Sequence, residues 1–235
     1  MAGSSVAINA RSIFNERDKA AHKAGRDPHE IRILAVSKGF PPEMILLARS
    51  LGFNLFGENY VQEWQSKAET LTEANLEWHF IGALQSNKVK QVVGKVALIQ
   101  SLDRDGLAAE ISKRAQELGL RQKVLLEINV AGELSKIGLS PAIAKDKIRQ
   151  WSELPGLNLT GLMIMPPFSA TAEASRPYFH QAKKWFDEWH PNREEHHWNE
   201  LSMGTSQDFK VAIEEGATLI RVGTALFGPR LNPTR

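Results

Sequence analysis

The chain has 235 residues, 42% hydrophobic and 24% charged, with a formal net charge of +2. That balance describes a folded globular chain with a sizeable core, and without a dense Lys/Arg stripe it sets nucleic acid aside as a partner. There are no cysteines, which excludes disulfides, thiolate chemistry and Cys-based zinc sites.

The N-terminal stretch soon turns charged and lacks the apolar run of a secretory signal. No segment reaches the ~18 apolar residues of a membrane span, so a cytoplasmic setting is expected. Residues 5–24 read as an opening helix, with Val6, Ile8, Ile13 and Phe14 recurring among charges. "IRILAVS" (31–37) reads as a strand and "PEMILLARSLG" (42–52) as a helix running from Pro42 to Gly52. Strand 53–58, helix 59–71, strand 78–82 and short helix 86–94 follow. Next come strand 96–102, helix 104–119, strand 123–130 and helix 140–154, the last with Ser140 as cap and Pro141 behind it. Strand 159–165, helix 171–189, strand 198–202, helix 206–216 and strand 218–223 complete the series.

Eight strands alternating with helices imply right-handed crossovers and a parallel sheet. The expected fold is α/β: one (β/α)8 TIM barrel with an extra N-terminal helix, a single domain over residues 1–235. Such barrels are typically about 250 residues long. An open doubly wound sheet is the alternative, weakened because no GxGxxG follows the first strand.

In a barrel of this kind the chemistry gathers at the carboxyl ends of the strands. Those ends read Ser37 and Lys38, then Gly57, Glu58 and Asn59, then "LSMGTS" (201–206) and "RVGTALFG" (221–228). Loops after the seventh and eighth strands are the recurrent phosphate site of the architecture. The hydroxyls and glycine of "SMGTS", and the amides of "VGT", suit an anion there; the plainer reading is turns and caps. A lysine in a dry site loses hydration, and its neutral amine can attack an aldehyde. Lys38 therefore reads either as a Schiff-base lysine or as the partner of a carboxylate such as Glu58. Opposite a phosphate cradle, the first reading suggests a phosphorylated aldehyde, and pyridoxal 5′-phosphate (PLP) fits. Arg221 inside the last strand reads as the partner of an inward carboxylate, or as a cation facing the ring nitrogen of that cofactor. His79 could serve as a base, but in a strand beside Trp78 it reads first as a hydrogen-bonded structural histidine. Met163 and Met165 read as lining or core. "HPNREEHHW" (190–198) is a poor metal site, since His196 and His197 point apart in an extended chain.

At these positions the sequence resembles the YggS/PROSC-type pyridoxal-phosphate homeostasis proteins. The matching segments are "AVSKGFPPE", "FGENYVQE", "WHFIGALQSNK", "SKIGL", "GLMIMPPF" and "LSMGTSQDFKVAIEEGATLIRVGTALFG", in order across residues 35–228. The resemblance implies a barrel like the N-terminal domain of alanine racemase (fold type III), with PLP as a Schiff base on Lys38. It implies phosphate contacts from Ser202, Gly204, Ser206, Gly223 and Thr224, and Arg221 opposite the pyridine nitrogen. Asn59 is carried over as a pocket residue and Lys136 as a residue near the pocket mouth. The family commonly reads "SMGMS", and Thr205 departs from it. The implied function is a monomeric PLP carrier in PLP homeostasis, handing the cofactor to apo PLP-dependent enzymes without robust catalysis. The alternatives are a racemase-like enzyme, which needs a second base, and a PLP-free Schiff-base aldolase. The chain has two tyrosines, Tyr60 and Tyr178, neither an evident second base, and stops at Arg235 without the additional β domain of racemases.

Overall fold

The computed structural model describes residues 2–132, 137–191 and 197–229. Eight parallel strands close into a barrel in the order β1 to β8, each hydrogen-bonded to its sequence neighbours, with β8 returning to β1. They are β1 (Arg32–Val36), β2 (Leu55–Glu58), β3 (Glu77–Phe80), β4 (Leu98–Leu102), β5 (Gln122–Ile128), β6 (Leu157–Ile164), β7 (Glu200–Ser202) and β8 (Leu219–Val222). The open-sheet alternative is excluded by that closure.

Strand alternation divides the core in two. Outward residues such as Ile33, Ala35, Phe56, Ile99, Leu162 and Val222 pack against the helices. Inward residues Leu34, Leu55, Leu98, Leu125, Met163 and Leu219 form a separate cluster inside the barrel. The same parity turns His79, Gln100, Ser202 and Arg221 inward, because Trp78, Phe80, Ile99, Leu201, Ile220 and Val222 belong to the outer layer. Polar side chains thus share the barrel interior with leucines.

The helices are α1 (Ala2–Lys23), α2 (Pro42–Ser50), α3 (Val61–Thr70), α4 (Val89–Val92), α5 (Asp105–Glu117), α6 (Pro141–Ser152), α7 (Arg176–Glu188), α8 (Phe209–Glu214) and α9 (Thr224–Phe227). The N-terminal helix α1 buries Val6, Ala10, Ile13, Ala20 and Ala21, a helical stripe, and packs on α8 and α9. Asn9 Nδ2 donates to the Leu226 carbonyl at 3.0 Å, which fastens α1 to the short helix following β8. Ser140 stands at the α6 cap position, but its side chain makes no capping bond there. The helix expected from residue 206 begins at Phe209, because residues 205–208 form a turn closed on Asp208. Among the described residues no helix is long and apolar enough to cross a membrane.

Candidate functional site

β1 delivers Ser37 and Lys38 to the carboxyl-terminal rim, and both chain neighbours of Lys38 are clamped. Ser37 Oγ donates to Glu58 Oε1 at 2.7 Å. Lys67 Nζ, on α3, donates to the Ser37 carbonyl (2.8 Å), Glu58 Oε1 (2.6 Å) and Glu63 Oε1 (2.7 Å). The Gly39 N–H donates to the same Glu63 oxygen at 2.5 Å. Phe40 then rests on Phe227 of α9, with centroids 4.8 Å apart. Burial pushes the Glu58 carboxyl up to about 6 against the pull of Lys67, so at neutral pH the pair is still charge on charge.

The sequence offered Glu58 as a partner for Lys38; the structure gives Glu58 to Ser37 and Lys67 instead. Lys67 and Glu63 were missed because Glu63–Lys67 reads as an ordinary i,i+4 surface pair. One signal was available. Lys67 lies three residues past Trp64, itself three past Val61, so it falls on the apolar stripe of α3 and is buried with it.

Asn59 follows Glu58 and is half-buried. Its Oδ1 is shielded from solvent and has no hydrogen-bond partner among the described residues. Its carbonyl lies so close to Gly82 that a Cβ there would approach it to 2.1 Å. That crowding explains the glycine after β3.

Arg221 sits inside the barrel near its carboxyl end. Nη1 donates to Ser202 Oγ at 2.7 Å, and Nη2 to the Ile164 carbonyl at 2.9 Å. Burial pushes the guanidinium down to about 10, so it stays cationic at neutral pH. Ser202, expected at the phosphate, stands beside Arg221. Its hydroxyl donates to Gln100 Oε1 at 2.7 Å while accepting from Arg221, so it is engaged inside the barrel. His79 bridges Gln100 and Glu77 at 2.9 and 3.1 Å, as a structural histidine should.

The loops after β7 and β8 meet at Ser206. Its Oγ accepts from the N–H groups of Gly223 and Ala225, both at 3.1 Å. One of the amides expected at an anion, that of Gly223, is therefore bridged to the Ala225 amide by a side-chain oxygen, with Thr224 exposed between them. Gly204 lies in the loop after β7. Its φ is +88°, and a Cβ would meet Ala212 Cβ at 2.5 Å, so packing against α8 dictates the glycine. Thr205 donates through N–H and Oγ1 to Asp208 Oδ1 (2.7 and 3.0 Å), and Ser175 Oγ donates to Oδ2 at 2.9 Å. The departure at Thr205 is thus absorbed into a turn.

A cavity of about 1050 Å³ opens beside this rim, bounded by Glu127, Asn129, Met165, Phe168, Thr205 and Asp208. Lys38, Asn59 and Arg221 do not line it. Burial, with the nearby charge of Asp103, pushes the Glu127 carboxyl up to about 7. Met163 belongs to the barrel interior, whereas Met165 is half exposed at the cavity. Lys136 and His196 lie outside the described residues, among which no cluster of three His, Asp or Glu could hold a metal.

Comparison with known proteins adds an independent line. Residues 12–231 match the family described as "Alanine racemase, N-terminal domain". The pyridoxal phosphate homeostasis protein of Aquifex aeolicus is 47% identical over 222 residues, 93% of this chain and 95% of that protein. The structure of PipY from Synechococcus elongatus with PLP bound superposes with a TM-score of 0.79 at 36% identity, covering 91% of this chain and 100% of that one. An alanine racemase from Clostridium difficile shares the fold at 15% identity, with a TM-score of 0.69 over 95% of this chain and 57% of that one.

Proposed function

Because this chain belongs to the alanine racemase N-terminal domain family and, within it, to the pyridoxal phosphate homeostasis proteins, we propose that it binds PLP on Lys38 and serves PLP homeostasis. The observation that carries the proposal is the clamp on both neighbours of Lys38, which fixes its backbone at the carboxyl-terminal rim, where the loops after β7 and β8 also meet at Ser206. PLP supplies an aldehyde that condenses with a primary amine: a C–N bond forms and the aldehyde oxygen leaves as water.

The residues present fit such a ligand. Asn59 carries an unpartnered buried oxygen. Arg221 engages one protein acceptor from each terminal nitrogen and keeps further N–H donors for a ring nitrogen. A cation in that place opposes protonation of the ring nitrogen and so weakens the ring as an electron sink. Ser206, which accepts from the Gly223 and Ala225 amides and keeps its hydroxyl proton to donate, offers the phosphate a hydroxyl beside Thr224, and Gly223 and Gly204 shape the loops around it. Ser202 acts on the ligand through Arg221.

In this reading the protein is a single-domain, monomeric, cytoplasmic carrier over residues 1–235. Its half-buried lysine allows exchange with apo PLP-dependent enzymes without robust catalysis. The tyrosines support the carrier over a racemase: Tyr178 lies on α7, outside the barrel, and Tyr60 is half exposed at the start of α3.

The test is the visible spectrum of the purified protein before and after borohydride, with peptide mapping of the adduct. The expected result is reduced PLP on Lys38, absent from Lys38→Ala, which keeps weaker noncovalent binding. Equal amounts of reducible, protein-linked PLP in Lys38→Ala would overturn the assignment.

A further inference from the structure

Arg221 is the upper end of a chain of polar side chains that crosses the barrel interior. Ser202 Oγ on β7 touches Arg221 Nη1 (2.7 Å) and Gln100 Oε1 on β4 (2.7 Å). Gln100 Nε2 touches His79 Nδ1 on β3 at 2.9 Å, and His79 Nε2 touches Glu77 Oε1 at 3.1 Å. Arg32 on β1 closes the far end, donating to Glu77 Oε1 (2.6 Å) and Glu200 Oε1 (2.8 Å). Ser202, Gln100 and His79 are buried, whereas the Glu77 and Arg32 side chains are 43% and 37% exposed at the opposite rim.

The direction of this chain follows from its ends. A guanidinium only donates and a carboxylate only accepts. Ser202 therefore accepts from Arg221 and has one proton to give, which its contact with Gln100 Oε1 receives. Gln100 is left presenting its NH2 to His79 Nδ1. A nitrogen that accepts carries no proton, so the imidazole proton sits on Nε2 and is donated to Glu77. The reversed arrangement would flip the Gln100 amide, leave the Ser202 proton without its acceptor, and need a cationic imidazole. Burial opposes that cation and holds the His79 pKa below its ordinary value.

We propose that His79 and Gln100 are positioning residues for Arg221: neutral, Nε2-protonated His79, anchored on Glu77, orients Gln100, which fixes the Ser202 hydroxyl so that its lone pair aims the guanidinium at the ligand-binding rim. The proposal rests on Arg221 facing bound PLP. Without this relay the guanidinium keeps one anchor, the Ile164 carbonyl, about which it can swing. A residue at the far side of the barrel thereby sets the orientation of a cation at the rim, through three buried contacts and no charge but its own.

Two measurements on the full-length protein test it. In protein without PLP, the ring 15N shifts of His79 at neutral pH are expected to show Nε2 protonated and Nδ1 bare. A Nδ1–H tautomer or an imidazolium would overturn the relay. In protein loaded with PLP, Gln100→Leu is expected to leave the cofactor linked to Lys38, weaken its binding about tenfold and shift the pH at which its absorbance band titrates. In an Arg221→Met background, Gln100→Leu is expected to add nothing further, since both changes act through one guanidinium. Ser202→Ala cuts the same chain by one oxygen and carries the test if Gln100→Leu does not fold. Wild-type protein with no reducible PLP on Lys38 would overturn the functional reading and this inference with it. Wild-type protein loaded on Lys38, whose affinity and band ignore both Gln100→Leu and Ser202→Ala, would overturn this inference alone.

Discussion

Two cations flank the candidate site, equally buried and treated in opposite ways. Lys67 is 5% exposed and Arg221 is 6% exposed. Lys67 meets two carboxylates and a carbonyl, at 2.6 to 2.8 Å. Its three ammonium protons are matched by three acceptors, and its charge is consumed within the protein. Arg221 meets a hydroxyl and a carbonyl, both neutral. Glu127 and Asp208 raise its pKa only through space, and burial outweighs them. A neutralised cation can hold two loops together but has nothing left for a ligand. A cation anchored on neutral dipoles keeps its charge and further N–H donors. The first arrangement is structural even though it touches both neighbours of Lys38, and the second is suited to binding.

The sharpest way to break this comparison is to remove each cation in turn. Lys67→Met strands Glu58, which is fully buried and already has one oxygen without a partner. Loss of one partner from a buried ion pair costs about 3–5 kcal/mol. Urea unfolding is expected to show a loss of that size, largely recovered in the double variant Lys67→Met/Glu58→Leu. A single variant as stable as wild type would mean that the pair is not charged in the folded protein.

The contrast also predicts a pH trend. If Glu127 were the ion-pair partner of Arg221, its carboxyl would be held low and stability would fall as pH drops. Burial instead raises it to about 7. A raised folded value means that Glu127 contributes stability below its unfolded value of about 4.5, lost as pH rises through about 7. The loss is at most about 3 kcal/mol. Glu127→Gln, neutral throughout, is expected to gain stability relative to wild type between pH 5 and pH 8. The opposite slope would put Glu127 and Arg221 in a direct pair and erase the contrast.

Removal of Arg221 itself is expected to cost less than removal of Lys67. Arg221→Met leaves no directly paired charge behind, only the Ile164 carbonyl and a Ser202 lone pair without their donor. About 1–2 kcal/mol is expected, the cost of an unpaired buried polar group. Measured beside Lys67→Met by urea unfolding, a larger loss at Arg221 would show that its surroundings neutralise it after all.

The barrel was legible because each strand is a short apolar run punctuated by Gly, Pro or charge, and eight such runs alternate with helical stripes. The rim positions were legible for the same reason: once a strand ends at Val36 or Val222, Lys38 and Gly223 have one place to go. What the sequence hid was pairing. Gln100 in "LIQSL" and Ser202 in "LSMGTS" lie 102 positions apart, yet barrel closure brings them to 2.7 Å. Lys67 was disguised by an i,i+4 carboxylate, and the inward contacts of Ser202 were not visible beside a glycine that suggested a ligand loop. Parity along each strand would have turned Ser202 inward, since Leu201 packs outward.

The two glycines of the rim carry the comparison to its smallest effect. Gly204 is required by the protein, through its positive φ and the proximity of Ala212. Gly223 is not. Its φ is −118°, and an added Cβ would meet Val36 at 3.5 Å, an ordinary contact. Gly223→Ala is therefore expected to change stability by less than about 1 kcal/mol. If the phosphate of PLP lies against this backbone, the same methyl group intrudes on it, and affinity for PLP is expected to fall at least about tenfold. Thermal unfolding and PLP titration of this one variant separate the two roles. Unchanged affinity would move the phosphate away from the β8 loop. A large loss of stability would mean that Gly223, like Gly204, is required by the fold.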